Sequence, residues 1–211
     1  MDLDDVWRTI DQQRTSLADL FDDLAPSEWE SPSLCTDWRV RDVAAHLTLA
    51  HTGLGGAAVN ALRARGSFNR MIRDTALRQA RLPVDSYAPA LRAMVGSRRK
   101  APGITPLEPL TDVLVHGQDI TVPLGRDRQM PHEAAAVAAD RVWSTGFPFR
   151  ARRRLAGLHL RATDHTWEVG EGELVEGPVA AMLLLLTGRL SAAVPLLAGP
   201  GTARLGSADA R

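Results

Sequence analysis

Apolar residues recur at helical spacing through the first ~150 residues and alternate with polar ones after Arg154, and this change of period does most to limit the fold. Leu3, Val6, Trp7, Ile10, Leu17, Leu20, Phe21 and Leu24 share one helical face, with Asp and Arg between them. Pro26 follows, and Ser31-Pro32-Ser33 continues a loop. A second helix begins near Val40, carries Val43, Ala44, Leu47 and Ala50, and fades or bends at Gly53 to Gly56. Residues 57–65 and 68–80 read as more polar helices, and Asp85 or Ser86 is placed to cap another through Met94. The loop APGITPLEP precedes a helix over about 109–121, which ends before Pro123 and Gly125. Pro131 suits the first turn of a further helix through Trp143. Residues 1–154 thus read as a helical bundle.

The later pattern differs. LHLRAT and TWEVG alternate around an Asp164-His165 turn, which predicts a two-stranded hairpin. Glu171 to Gly177 reads as a loop. Pro178 opens an apolar helix to Thr187-Gly188, and a short helix is expected over Val194 to Leu197. Residues 155–211 read as a small α+β appendage packed on the bundle, too small to fold alone. Its last ten residues before Arg211 read as frayed.

Composition excludes several functions. With 45% apolar residues in 211, the chain has material for a core. AAMLLLL at 180–186 is the longest apolar run and is too short to cross a bilayer. The acidic start MDLDDVW lacks the pattern of a signal peptide, so the cytoplasm is the expected compartment. The single cysteine, Cys35, excludes an intrachain disulfide and fits a reducing environment. The 25 basic and 25 acidic residues balance, which gives no electrostatic case for nucleic-acid binding. The clusters Arg98 to Lys100 and Arg150 to Arg154 read as solvated helix ends.

The chemistry lies in DVLVHGQDI. Asp112 and His116 are four residues apart on a predicted helix, so they share a face one turn apart. A carboxylate and an imidazole so placed can grip one metal ion. His46, on the second predicted helix, would be a third ligand and leave positions open for water or substrate. Such donors suit Zn²⁺, and also Ni²⁺, Mn²⁺ or Fe²⁺. The alternative from spacing alone is a packed histidine beside a surface carboxylate. Asp119, three residues after His116, is either a partner that fixes the imidazole tautomer or an exposed helix-terminal acid. His51 lies off the His46 face. His132 and His165 are expected in solvent, and His159 outward from a strand. Cys35 precedes a helix, but no sequence neighbour supports a nucleophile there, so it reads as a packed, unreactive thiol. Gly170, Gly172 and Gly177 lack the ending of a phosphate loop.

Leu24 to Trp29, Pro32 to Trp38 and Asp42 to Leu47 together resemble the N-terminal signature of the mycothiol-dependent maleylpyruvate isomerase family, part of the wider DinB-like metal-binding group. DVLVHGQDITVPLG resembles that family's second metal-binding helix, and RATDHTWEVGEGELVEGPVAAMLLLLTGR its small C-terminal unit. The resemblance implies a mainly α fold: a DinB-like four-helix bundle over residues 1–154 with a small α+β C-terminal unit over 155–211. It implies a divalent metal, zinc foremost, on His46, Asp112 and His116, where the family's isomerases have Glu in place of Asp112. It further implies mycothiol as thiol cofactor and a small-molecule electrophile as substrate, with isomerisation or S-transfer as the reaction. Arg189 would clamp a substrate carboxylate, or else cap the helix ending at Gly188. A homodimer stays open as a partner. The alternative function is a non-catalytic metal- or ligand-binding module of the same fold.

Overall fold

The computed structural model describes residues 1–50, 68–100 and 103–210. The expected helix over 57–65, the bend at Gly53 to Gly56 and His51 lie outside the described residues. The chain divides into two compact units, Asp2–Arg128 and Gln129–Arg211, the latter together with Met1.

The first unit is helical. α1 spans Leu3–Asp23, with Asp2 accepting from the Asp5 backbone N–H at its start. Val6, Trp7, Ile10, Leu17, Ala18 and Phe21 are buried along one stripe, as the periodicity requires. α2 spans Val40–Leu47. Its start is built by Asp42, whose Oδ2 accepts from the Arg39 backbone N–H at 2.8 Å and from Arg39 Nε at 3.0 Å. α3 spans Phe68–Gln79 and packs on α2. A 3-10 turn at Val84–Ser86 leads into α4, Tyr87–Arg92. This helix is shorter than expected, and Ser86 does not cap it: its hydroxyl donates to the Pro83 carbonyl instead. α5 spans Leu107–Thr121 and packs against both α1 and α2. Glu108 holds the Thr105 backbone N–H and hydroxyl ahead of its first turn, both at 2.6 Å. After α5 the chain turns at Gly125, whose φ of 63° is cheap for glycine. Phe21, Trp29 and Tyr87 form an aromatic column in this core, with successive ring centroids 5.6 and 5.8 Å apart.

The second unit contains α6, His132–Ser144, which packs on α8, Val179–Leu186. The helix expected through Trp143 as part of the bundle therefore belongs to the second compact unit, upstream of the change in sequence period. Its buried face is almost entirely alanine (Ala134, Ala135, Ala138, Ala139), which lets the leucine-rich α8 approach closely. Pro131 stands just before α6 as its N-cap. The one-turn helix α7, Ala151–Arg154, ends in Arg154, whose Nη2 donates to the Leu185 and Leu186 carbonyls of α8. Arg154 is thus no solvated residue: it satisfies orphan carbonyls at a helix end.

The sheet has three strands, one more than the alternation suggested. β1, Leu158–Ala162, pairs antiparallel with β2, Glu168–Gly170, in the expected hairpin, with Leu160 opposite Val169. β3, Glu173–Gly177, runs parallel to β1 on its other side, with Leu160 opposite Val175. The segment expected as a loop is therefore a strand. Its alternation is masked because both ends are glutamate-rich and glycine-flanked, and only Val175 and Gly177 are buried. To pass from one edge of β1 to the other, the chain crosses the start of β1 in two residues. A Cβ on Gly172, at φ 129°, would stand 2.1 Å from the Gly157 carbonyl oxygen, so the crossing brings two backbones into contact. α9, Leu190–Ala193, and a 3-10 turn at Val194–Leu196 follow α8. The segment expected to fray is a 3-10 run, Pro200–Ala210, packed on β3. Buried Leu205 anchors it, and the missing side chain at Gly201 allows the approach to Val175.

Gly172→Ala is expected to cost about 2–3 kcal/mol or more, since it adds both a disfavoured φ and an overlap with backbone. Urea denaturation measures this. A loss within about 0.5 kcal/mol, the usual range of surface substitutions, would contradict the crossing geometry.

Candidate metal centre

α2 and α5 face each other through Val43, Ala44, Leu47, Val113 and Ile120, which share one apolar cluster. That packing sets His46 of α2 over Asp112 and His116 of α5. Asp112 Oδ1 lies 3.4 Å from His46 Nε2 and 3.3 Å from His116 Nε2. The three ligand atoms all lie within 4.8 Å of one another. The imidazole rings meet edge-on at 4.9 Å, and Trp38 packs edge-on against His46 at 5.6 Å. The side chains of His46, Asp112 and His116 keep 17%, 32% and 14% of their surface exposed, so the cluster opens to solvent.

The separations bear on what the cluster can hold. Two ligands each ~2.0–2.1 Å from a tetrahedral zinc ion stand roughly 3.3 Å apart. Both Asp112 separations match that edge. Two imidazole nitrogens and one carboxylate oxygen also form a donor set suited to zinc, with a fourth position left to solvent or ligand.

A second group adjoins the first. Asp119, fully buried, has its Oδ2 2.7 Å from His116 Nδ1, and Cys35 donates its S–H to the same oxygen at 3.1 Å. Cys35 Sγ lies 3.9 Å from His116 Nδ1. The 2.7 Å spacing of Asp119 and His116 is a hydrogen bond and is too short for two ligands of one tetrahedral ion. Cys35 packs against the apolar cluster of the first unit, as a packed thiol should. The fold also sets it beside His116 and Asp119, which no sequence neighbour signals, because the Ser33–Cys35 loop is tied to α5 by the Leu34 N–H, which donates to the Asp119 carbonyl at 3.1 Å. A contact between residues so distant in sequence leaves no local signal. Asp119, by contrast, was visible at i+3 from His116, and it is the buried partner rather than an exposed helix end.

The other sequence candidates have partners of their own. Arg189 Nη1 donates to the Thr187 carbonyl at 2.7 Å and its backbone N–H to the Leu184 carbonyl at 2.8 Å, closing the end of α8. His132 is exposed, 3.5 Å from Asp164. His165 is only partly exposed and contacts Glu133 at 3.1 Å. His159 sits 3.5 Å from Glu168 on the neighbouring strand. Arg14 was not foreseen as a core residue. It is buried in the first unit and donates to the Met94 carbonyl at 2.8 Å. Its place on the stripe between Ile10 and Leu17 was the signal available.

Residues 10–102 match the profile of the mycothiol maleylpyruvate isomerase N-terminal domain. The crystal structure of the mycothiol-dependent maleylpyruvate isomerase matches this fold with a TM-score of 0.67, at 13% identity over 95% of this chain and 93% of that one. A crystal structure of a histidine-to-alanine mutant of the mycothiol-dependent maleylpyruvate isomerase gives 0.62, with the same identity and coverage. The fold is therefore shared along nearly the whole chain. A comparison with curated proteins returned no match.

The charges in this cluster oppose each other's titration. Burial acts against both ionised groups, but the two imidazoles hold the Asp112 carboxyl well below the usual carboxylate range. Burial likewise lowers His116, yet the Asp112 charge and hydrogen bonds to Asp112, Asp119 and Cys35 raise it well above its ordinary value. Partial exposure of Asp112 screens some of this attraction. A depressed carboxyl contributes stability above its unfolded pKa, which is lost as pH falls. A raised imidazole contributes stability below its unfolded pKa, which is lost as pH rises through the folded value. Metal-stripped protein is therefore expected to lose urea stability both below about pH 4 and at alkaline pH. His116→Gln should flatten both slopes. Unchanged slopes in that variant would contradict the pairing.

Proposed function

We propose that this chain is a metal-dependent, mycothiol-dependent enzyme of the maleylpyruvate isomerase type, acting in the cytoplasm on a small electrophile. The convergence of His46, Asp112 and His116, with edges of 3.3 and 3.4 Å about one carboxylate oxygen, carries this reading. The match of residues 10–102 to the mycothiol maleylpyruvate isomerase N-terminal domain supports the thiol cofactor. Bound at these donors, a divalent ion, zinc foremost, would hold a thiol as thiolate near neutral pH and so supply the nucleophile.

The residues themselves do the rest. His46 and His116 present Nε2 toward one point, and Asp112 supplies negative charge between them. Trp38, packed against His46, limits solvent on that side. Cys35, engaged with Asp119, is not the nucleophile in this scheme; the external thiol is. Such a thiol would supply reversible addition to a cis-alkene diacid, which isomerises it with no net change in atoms, or displacement of the leaving group of an alkylating electrophile, which gives a thioether.

The test offers mycothiol with maleylpyruvate, and separately with a generic alkylating electrophile, with and without chelator. Turnover is expected with at least one electrophile, lost on chelation and restored by zinc. His116→Ala should lose most of it, and Cys35→Ser should keep it. Equal rates with and without chelator would contradict metal activation of the thiol. Activity on neither electrophile by zinc-loaded protein would favour a non-catalytic binding module.

A further inference from the structure

The Nδ1 side of His116 carries a chain of groups that the reaction above does not use. Asp119 is fully buried, on the side of α5 that faces the Ser33–Cys35 loop, and its Oδ2 receives both His116 Nδ1 at 2.7 Å and the Cys35 thiol at 3.1 Å. The Leu34 N–H donates to the backbone carbonyl of Asp119, so the loop is held in register with the helix that carries the imidazole. Ser33 closes the loop from the other side, its hydroxyl donating to the Trp38 carbonyl at 2.8 Å and its backbone N–H to the same carbonyl at 2.9 Å.

We infer that Asp119 and Cys35 are positioning residues that fix His116 with its proton on Nδ1 and its lone pair on Nε2, toward His46 and Asp112. Both ring nitrogens face a carboxylate, Nδ1 at 2.7 Å from Asp119 and Nε2 at 3.3 Å from Asp112, and a carboxylate only accepts; with an ion shared between Nε2 and Asp112, the ring's one remaining hydrogen sits on Nδ1. The other nitrogen is then the donor atom for an ion. The same bond holds the ring plane and raises the basicity of Nε2. Cys35 acts one step further out. Its S–H, aimed at the same oxygen, holds the carboxylate on the imidazole side. This gives the single cysteine a use that needs no reactivity and that a hydroxyl could also serve.

The inference rests on the metal reading of His46, Asp112 and His116, and two measurements separate the failure of each. The first is zinc affinity by competition with a chromophoric chelator. Asp119→Asn is expected to weaken binding on the order of 10–100-fold, Cys35→Ala by less, and Cys35→Ser hardly at all. Wild-type affinity in Asp119→Asn would overturn the inference, as would equal losses in Cys35→Ser and Cys35→Ala. The second is ¹⁵N NMR of the histidine rings. In zinc-loaded protein His116 should show a protonated Nδ1 and a zinc-shifted Nε2. Zinc on Nδ1 would overturn the inference and point to the Cys35, His116 and Asp119 group instead. In metal-stripped protein the Nδ1–H of His116 should be protected from solvent exchange, and Asp119→Ala should abolish that protection. If the wild type binds no zinc, the metal reading fails, and the Nδ1–H protection still decides the role of Asp119. A purely structural role would lower stability in these variants without moving the proton or the metal between nitrogens.

Discussion

The packing of α2 against α5 is the constraint on which the site depends. His46 is separated from Asp112 and His116 by more than sixty residues of sequence. Only burial of Val43, Ala44 and Leu47 in one cluster with Val113 and Ile120 brings them together. α2 has only eight residues, so propensity alone would not hold it. The Arg39–Asp42 start fixes where the helix begins, and hence which turn presents His46. An apolar seam therefore sets the spacing of a polar cluster.

That cluster is a buried-to-exposed gradient of charge. Asp119 lies fully inside and Asp112 a third outside, with the His116 ring between them. An imidazole held by carboxylates on both nitrogens is oriented without using backbone groups. Such an arrangement is costly for a histidine that merely fills space, because two acids must be desolvated to achieve it. It suits a histidine that must present one nitrogen in one direction.

Much of this was legible in the sequence, for identifiable reasons. The 3.6-residue period located α1, α2 and α5, and the i,i+4 spacing of Asp112 and His116 predicted a shared face. His46 on the second predicted helix was the third candidate ligand, and resemblance to the family signature favoured a metal over a packed histidine. The features that escaped are those set by non-local backbone packing. β3 was hidden because its parallel pairing needs no hydrophobic alternation on the solvent face, and because the crossing at Gly172 looks like loop composition. The grouping of α6 with the second unit follows from an alanine face that fits α8, which periodicity cannot distinguish from a bundle face. Cys35 beside Asp119 follows from the Leu34 hydrogen bond across some eighty-five residues of sequence. No local pattern encodes that contact.

The central claim is that His46, Asp112 and His116, and no sulfur of the chain, hold a divalent ion. Zinc-edge X-ray absorption on thiol-free, zinc-loaded protein tests it most directly. The expected spectrum has two imidazole nitrogens and oxygen ligands at ~2.0–2.2 Å, with the imidazole scattering reduced in His46→Ala. A sulfur shell at ~2.3 Å, or a spectrum that His46→Ala leaves unchanged, would contradict the account.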